Sequence, residues 1–280
     1  MTDPTARKLV FSDLDGSLLD HYSYSFDAAL PAVNALEELD IPLILVSSKT
    51  RAEILAVREQ LANRHPFIVE NGAAVFVPQR YFPVQPAATV LRDGYWVWET
   101  APSRSRWLEL LAALAVEFPS SFEYFHRAGV NGIMQMTGLS AVQATRANSR
   151  EYSEPVKWFG GPQEELRFIE HLRESGASVV KGGRFLSVSG DCDKGRALRW
   201  LRDCYQALTP DRPVDDIAIG DSANDCRMLE AARTALLIRS PVHDFPPLAR
   251  VDGVMRSQLP GPQGWAEGVS KWAQLNPLST

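Results

Sequence analysis

Two rhythms of apolar positions alternate through the first third of the chain. Leu9–Phe11 is a short unbroken apolar run ending just before Asp13, after which Phe26, Leu30, Val33 and Leu36 recur at helical spacing. Pro42–Val46 repeats the strand pattern, Ile54, Val57 and Leu61 mark a second helix, and Phe67–Val69 opens a third strand. Such alternation predicts a parallel sheet flanked by helices, the α/β class.

From about Pro78 the chain turns rich in proline and aromatic residues, with Tyr81, Phe82, Tyr95, Trp96 and Trp98 close together. This change predicts an inserted domain over 81–189, with helices near Ser105–Phe118 and Pro162–Ser175, between two parts of a core at 1–80 and 190–280. Past Lys194 the first rhythm resumes: Leu198, Leu201, Tyr205 and Leu208 share a helical face, Asp216–Ile219 reads as a strand, and a helix follows Asn224. After the Pro- and Gly-rich stretch Gly261–Gly264, a short helix is expected over Trp265–Leu275.

Composition narrows the class. The 280 residues are 45% hydrophobic and 22% charged, ordinary for a globular chain with room for a core and an insert. A net charge of -5 gives no basic footprint for nucleic acid, so an anionic ligand must be met by local positive groups. No apolar run reaches bilayer-spanning length and the N-terminus lacks the blocks of a signal peptide, so no membrane partner and a cytoplasmic location are expected. Cys192, Cys204 and Cys226 are too widely spaced for a metal knuckle and are expected to be free thiols.

The chemistry sits at the ends of predicted strands. Asp13-Leu14-Asp15-Gly16 follows the first strand, and residues two apart in an extended chain face the same side, so Asp13 and Asp15 are expected to share a crevice. Gly16 allows a sharp turn there. Ligands of open α/β sheets bind at this edge. Two bare carboxylates that close repel unless a cation joins them or one keeps a proton, and an oxygen-seeking ion such as Mg²⁺ suits them. Gly220-Asp221-Ser222-Ala223-Asn224-Asp225 repeats the arrangement after the strand ending at Ile219, so both acid clusters are expected to converge on one metal. Ser47-Ser48 ends the second strand and Asp193-Lys194-Gly195 starts a helix; hydroxyls, free N–H groups and an ammonium suit a phosphate.

These four stretches, in this order and with the insert between the second and third, resemble the haloacid dehalogenase superfamily of phosphatases. The resemblance implies a Rossmann-like parallel sheet with an inserted α/β cap, and an activity that needs Mg²⁺. It further implies that Asp13 attacks phosphorus, Asp15 serves as acid and then base, and Ser47 and Lys194 hold the phosphoryl group, with Ser48 an alternative to Ser47. Asp221 joins Asp13 and the Asp15 carbonyl on the metal in this reading, and Asn224 and Asp225 support that shell.

Arg150-Glu151-Tyr152-Ser153-Glu154-Pro155, Trp158 and Lys181-Gly182-Gly183-Arg184-Phe185 look like the cap signatures of the mannosyl-3-phosphoglycerate phosphatase family. Val69-Glu70-Asn71-Gly72-Ala73 and Gly261-Pro262-Gln263-Gly264-Trp265 are similar to core segments of that family. The implied substrate is a small phosphorylated glycoside, mannosyl- or glucosyl-3-phosphoglycerate, and the product a compatible solute of mannosylglycerate biosynthesis. Arg150, Lys181 and Arg184 would pair with its anions, Ser153 and Glu154 would bond sugar hydroxyls, the backbone of Gly182-Gly183 would approach its carboxylate, and Trp158 would stack on the sugar. Three other readings remain at this point: a phosphatase of another sugar phosphate such as sucrose phosphate, a phosphohexomutase, and a regulatory protein that binds without turnover.

Overall fold

Why the first strand lies at the centre of its sheet is visible in its burial: Leu9, Val10 and Phe11 are wholly inaccessible on both faces, as a strand covered by helices on each side must be. In the computed structural model, which describes residues 6–181 and 184–275, β1 (Arg7–Ser12) pairs in parallel with β2 (Leu43–Val46) on one side and with β11 (Val214–Gly220) on the other. With β3 (Phe67–Val69), β4 (Ala74–Pro78), β5 (Val90–Arg92), β6 (Tyr95–Glu99), β11 (Val214–Gly220), β12 (Thr234–Arg239) and β13 (Val254–Pro260), it forms a sheet ordered β13-β12-β11-β1-β2-β3-β4-β6-β5. The run from β13 to β3 is parallel, as the alternation predicts, whereas β4 is antiparallel to β3 and β5 is antiparallel to β6. Helices α1 (Leu30–Glu38), α2 (Arg51–Gln60), α7 (Lys194–Leu208), α8 (Cys226–Ala231) and α9 (Gly261–Ala273) alternate with the parallel strands.

The chain divides into two compact units, one comprising the chain up to Ser47, Arg58–Trp98 and Asp193 onward, the other Ser48–Val57 and Glu99–Cys192. These limits differ from the insert expected at 81–189. The aromatic stretch that suggested a new domain instead extends the first unit's sheet and core: Phe82 and Trp96 are buried, the Tyr81 hydroxyl lies 2.9 Å from that of Tyr205, and the Trp98 ring stacks on Trp200 at 4.7 Å. Ser48–Val57 falls in the second unit, where the Thr50 hydroxyl donates to the Arg146 carbonyl at 2.9 Å and Arg51 pairs with Glu151 at 2.8 Å.

In the second unit β7 (Phe122–Tyr124), β8 (Ser153–Trp158), β9 (Ser178–Lys181) and β10 (Leu186–Ser189) make an antiparallel sheet ordered β7-β8-β10-β9. Residues Trp107, Leu111, Phe122, Val156, Phe168 and Leu172 form its core, together with α3 (Arg104–Glu117) and α6 (Pro162–Glu174), both close to the expected helices. Two further helices, α4 (Phe125–Thr137) and α5 (Ala141–Asn148), had no counterpart in the sequence reading. Gly129, at φ +63°, interrupts the first, and Gly132 further weakens its helical pattern. The second carries a Ser140–Gln143 capping box that does mark its start.

One expected boundary moves for a simple reason. Gly261–Gly264 is the first turn of α9 and not a loop before it, because Pro262 occupies a position whose N–H needs no partner in the helix. The glycines there allow close packing: a Cβ on Gly264 would stand 2.0 Å from the Leu259 carbonyl oxygen. The three cysteines are free thiols, and among the described residues no helix is long and apolar enough to cross a membrane.

Candidate active site

At the carboxyl end of β1 the Asp13 N–H donates to the Ile219 carbonyl at 2.9 Å, so the ladder with β11 continues one residue beyond the strand and fixes the Asp13 backbone. The Ser12 hydroxyl donates to the Asp13 carbonyl at 2.7 Å and itself accepts the Trp265 indole N–H at 2.9 Å, a buried brace from α9. The chain then turns tightly, with the Gly16 N–H on the Leu19 carbonyl and the Leu19 N–H on that of Leu14. Gly16 has φ +79°, and a Cβ there would lie 2.6 Å from Asp221 Oδ2, so conformation and space both require glycine.

Asp221 follows β11, and the chain from it enters a single 3₁₀ turn at Ala223–Asp225 before α8. Asp225 Oδ2 accepts the Ser222 N–H at 3.1 Å, which orients the carboxylate inward. Lys194 opens α7, whose N-terminus is capped by Asp193 through the N–H groups of Gly195 at 2.7 Å and Arg196 at 3.1 Å. From that fixed start the Lys194 ammonium reaches Asp13 Oδ1 and Asp225 Oδ1, each at 2.7 Å, with its own side chain only 1% exposed.

Asp13, Asp221 and Asp225 are all buried and offer oxygens within 4.8 Å of one another. Burial raises the Asp13 carboxyl well above the usual carboxylate range, Asp225 and Asp15 push it the same way, and Lys194 pulls against them. Asp221 is pushed up to about 6 by burial and by Asp225, opposed by His243 and Lys194. For Lys194, burial alone would lower the pKa, but the charges of Asp13 and Asp225 outweigh it and raise the value. One ammonium among three carboxylates leaves the cluster short of positive charge. Asp221 Oδ1 is in addition buried without a hydrogen-bond partner. An all-oxygen, anionic, partly unsatisfied donor set fits a hard divalent cation.

The structure therefore brings Asp13, Asp221, Asp225 and Lys194 together. Asp15 lies near enough for its charge to raise Asp13. Asn224 is exposed, and its amide donates to Asn71 Oδ1 at 3.4 Å. Ser47 is buried at the end of β2; its N–H donates to the Ile68 carbonyl at 3.1 Å and its carbonyl accepts the Asn71 N–H at 2.9 Å. Glu70 and Asn71 hold left-handed φ values of +46° and +61°, which bring that N–H back to Ser47. The sequence reading missed His243, whose Nε2 stands 3.5 Å from Asp221 Oδ2. A lone histidine in a proline-containing loop carries no pattern by which to find it.

Within the second unit, Arg150 Nη2 donates to the Ser48 carbonyl at 2.7 Å and its Nε to the Ser153 hydroxyl at 2.9 Å, so three expected substrate residues meet. Glu154, expected to face sugar hydroxyls, is completely buried with both oxygens engaged, Oε2 by Arg104 Nε and Oε1 by the His126 N–H at 2.8 Å. Arg104 is a second residue the sequence reading did not single out. Lys181 is exposed and pairs with Glu165 at 2.7 Å, and Arg184 donates to the Thr137 carbonyl at 3.3 Å. Trp158 is half-buried, packed against the hydrophobic core with its ring 4.9 Å from that of Phe168. Gly182 and Gly183 lie outside the described residues.

Residues 10–85 match the family model for haloacid dehalogenase-like hydrolases. The glucosyl-3-phosphoglycerate/mannosyl-3-phosphoglycerate phosphatase of Methanococcoides burtonii is 34% identical over 94% of this chain and 96% of its own length. The protein of the same description from Persephonella marina is 30% identical over 96% of this chain and 98% of its own. Among solved structures, the sucrose-phosphatase of Synechocystis, solved with sucrose and phosphate, superposes with a TM-score of 0.59 over 96% of this chain and 98% of that one. At 15% identity, that likeness is one of fold.

Proposed function

Because this chain belongs to the haloacid dehalogenase-like hydrolases and is a phosphoric monoester hydrolase, we propose that it cleaves mannosyl-3-phosphoglycerate or glucosyl-3-phosphoglycerate to the glycosylglycerate and phosphate. The reading takes Asp13 as covalent nucleophile and Mg²⁺ as cofactor. The observation that carries it is the placement of Asp13: braced at the end of the central strand, buried, and held at Oδ1 by Lys194 in a cluster with Asp221 and Asp225.

In this reading an Asp13 oxygen attacks phosphorus while the bond from phosphorus to the glycerate oxygen breaks. Asp15 gives its proton to that leaving oxygen, a step of the kind that contributes about 10²–10⁴ in rate. Asp15 then takes a proton from water, the water attacks phosphorus, and phosphate leaves with the Asp13 carboxylate restored. Two easier steps replace one hard one. Lys194 favours the ionised form of Asp13 against the effect of burial, and with Ser47, or Ser48 in its place, it holds the phosphoryl oxygens. Asp13, the Asp15 carbonyl and Asp221, with Asn224 and Asp225 around them, would hold Mg²⁺, which when bound would supply positive charge to stabilise the phosphoryl oxygens.

Substrate choice belongs in this proposal to Arg150, Ser153, Lys181 and Arg184, with the Gly182-Gly183 backbone. Arg150 is the best supported of them, since its guanidinium is already aimed by Ser48 and Ser153. The product would be a compatible solute made in the cytoplasm. The test is phosphate release by the purified protein, with Mg²⁺ and with chelator, from the two glycosyl-3-phosphoglycerates, sucrose phosphate and simple hexose phosphates. Metal-dependent release confined to the glycosyl-3-phosphoglycerates is expected. Preference for another ester would discard the substrate assignment, and the absence of release from all of them would discard the hydrolytic one.

A further inference from the structure

The turn between β3 and β4 takes a costly path. Glu70, Asn71 and Gly72 hold φ values of +46°, +61° and +92°, three left-handed residues in succession where single ones are the rule. Glycine adopts that conformation freely, asparagine and aspartate with least penalty among the others. Backbone strain persists only where the surroundings over-determine it, and it gathers at functional sites.

The strained turn meets three segments of the site at once. The Asn71 N–H donates to the Ser47 carbonyl at 2.9 Å, so the bend secures the residue that follows β2. Gly72 lies so close to the start of α7 that a Cβ on it would stand 2.4 Å from the Asp193 carbonyl and 2.7 Å from the Lys194 nitrogen. The half-buried Asn71 side chain reaches the third segment, its Oδ1 accepting from Asn224 Nδ2 at 3.4 Å. Asn224 Oδ1 in turn accepts the Ser222 hydroxyl at 2.5 Å, which leaves the amide nitrogen of Asn224 to face Asn71.

We infer that Asn71 is a positioning residue of the cation site, its side chain orienting Asn224 while its backbone holds Ser47. The inference rests on the reading in which Asn224 and Asp225 surround a Mg²⁺ held by Asp13 and Asp221. Asn224 is exposed, so packing does little to choose its rotamer, and its hydrogen bonds to Ser222 and Asn71 carry that task. Removal of an outer-shell partner of this kind commonly weakens metal binding by about 10–100-fold. The residue type follows from both demands. Glycine would accept the backbone angle but offers no side-chain carbonyl, and aspartate would add a negative charge near a cluster that already holds Asp13, Asp221 and Asp225. Asparagine combines tolerance of φ +61° with a neutral acceptor.

The experiment measures Mg²⁺ affinity without turnover, as displacement of Mn²⁺, an ion of the same oxygen-ligand class, read from the paramagnetic resonance signal of free Mn²⁺. The full-length wild type is compared with Asn71→Gly, Asn224→Ala and the double variant, each also melted in chelator. Asn71→Gly keeps the left-handed turn and loses only the amide. It should bind Mg²⁺ about tenfold more weakly and melt within a few degrees of the wild type, whereas a residue that served the fold alone would show the reverse. The double variant should bind no more weakly than Asn224→Ala, because Asn71 acts through Asn224. Unchanged affinity in Asn71→Gly beside a weakened Asn224→Ala, or losses that add in the double variant, would overturn the inference and leave the metal reading standing. A wild type from which Mg²⁺ displaces no Mn²⁺, or an Asn224→Ala that binds Mg²⁺ as the wild type does, would overturn the metal-shell reading and the inference with it.

Discussion

The acidic cluster of the first unit and the residues proposed for substrate recognition in the second are held in place very differently. Asp13, Asp221, Asp225 and Lys194 are buried, Lys194 bonds both Asp13 and Asp225, and each of the four stands just after a strand or near the start of a helix. In the second unit Lys181 and Arg184 are exposed, the first paired with Glu165 and the second on the Thr137 carbonyl and the Phe185 ring, while Glu154 is buried but spent on Arg104 and His126. The contrast separates a site whose charges are brought together at the expense of stability from one that spends its charges largely on its own architecture. Substitutions should therefore disturb chemistry in the first unit and mainly folding or affinity in the second.

The largest effect is expected for Asp13→Asn, a loss of phosphate release of 10³-fold or more, equal to about 4 kcal/mol or more of barrier. Near-normal release from a variant with unchanged circular dichroism would end the contrast. Next comes Lys194→Met, which leaves Asp13 and Asp225 buried without their cation. Chemical denaturation in chelator at pH 7 should show a loss of about 3 kcal/mol. A change close to zero would mean that the ion pairs hold nothing in place.

Removing Mg²⁺ tests the same cluster through pH. The folded Asp221, at about 6 against an ordinary value of 3.8, keeps its proton to higher pH than the unfolded chain does. The folded state thus binds more protons in that window, and the stability of the metal-free protein should fall as pH rises from about 4 to 6. The Asp13 shift has the same sign. A divalent ion relieves the ionised cluster, so Mg²⁺ should raise the melting temperature more at pH 7 than at pH 5, with about 2.7 kcal/mol available at a hundredfold excess over its Kd. An equal rise at both values would place the ion elsewhere.

Glu154→Gln should destabilise by about 2 kcal/mol, below the usual range for a broken buried pair because Arg104 keeps its bonds to Asn148, at 2.6 Å to the carbonyl and 2.9 Å to Oδ1. A variant of full stability with weaker substrate binding would make Glu154 a ligand after all. The smallest effect belongs to Arg184→Ala, a rise in KM for the glycosyl-3-phosphoglycerate of about tenfold, or about 1.4 kcal/mol, with little change towards an aryl phosphate. Equal losses on both would remove Arg184 from substrate choice.

These differences also decide what could be read in the sequence. Asp13, Lys194 and Asp221 were legible because an apolar strand that stops at an acid, or a capped helix start, is a local pattern with a fixed geometric meaning. The strands β4, β5 and β6 were not, since they join the sheet by antiparallel pairing after turns, and Tyr81 between β4 and β5 and Trp96 on β6 serve the first unit's core while giving the composition of a separate domain. His243 and Arg104 were out of reach for a related reason. Each meets its partner across a long stretch of chain, and neither stands in a repeated spacing.

The central claim is that the Asp13 carboxylate itself accepts the phosphoryl group. Rapid quenching of the enzyme during turnover, followed by borohydride reduction and peptide sequencing by mass spectrometry, converts an aspartyl phosphate to homoserine and reports its position. Homoserine at position 13, absent without substrate, is the expected result. Homoserine at another aspartate, or none in enzyme quenched during active turnover, would contradict the account.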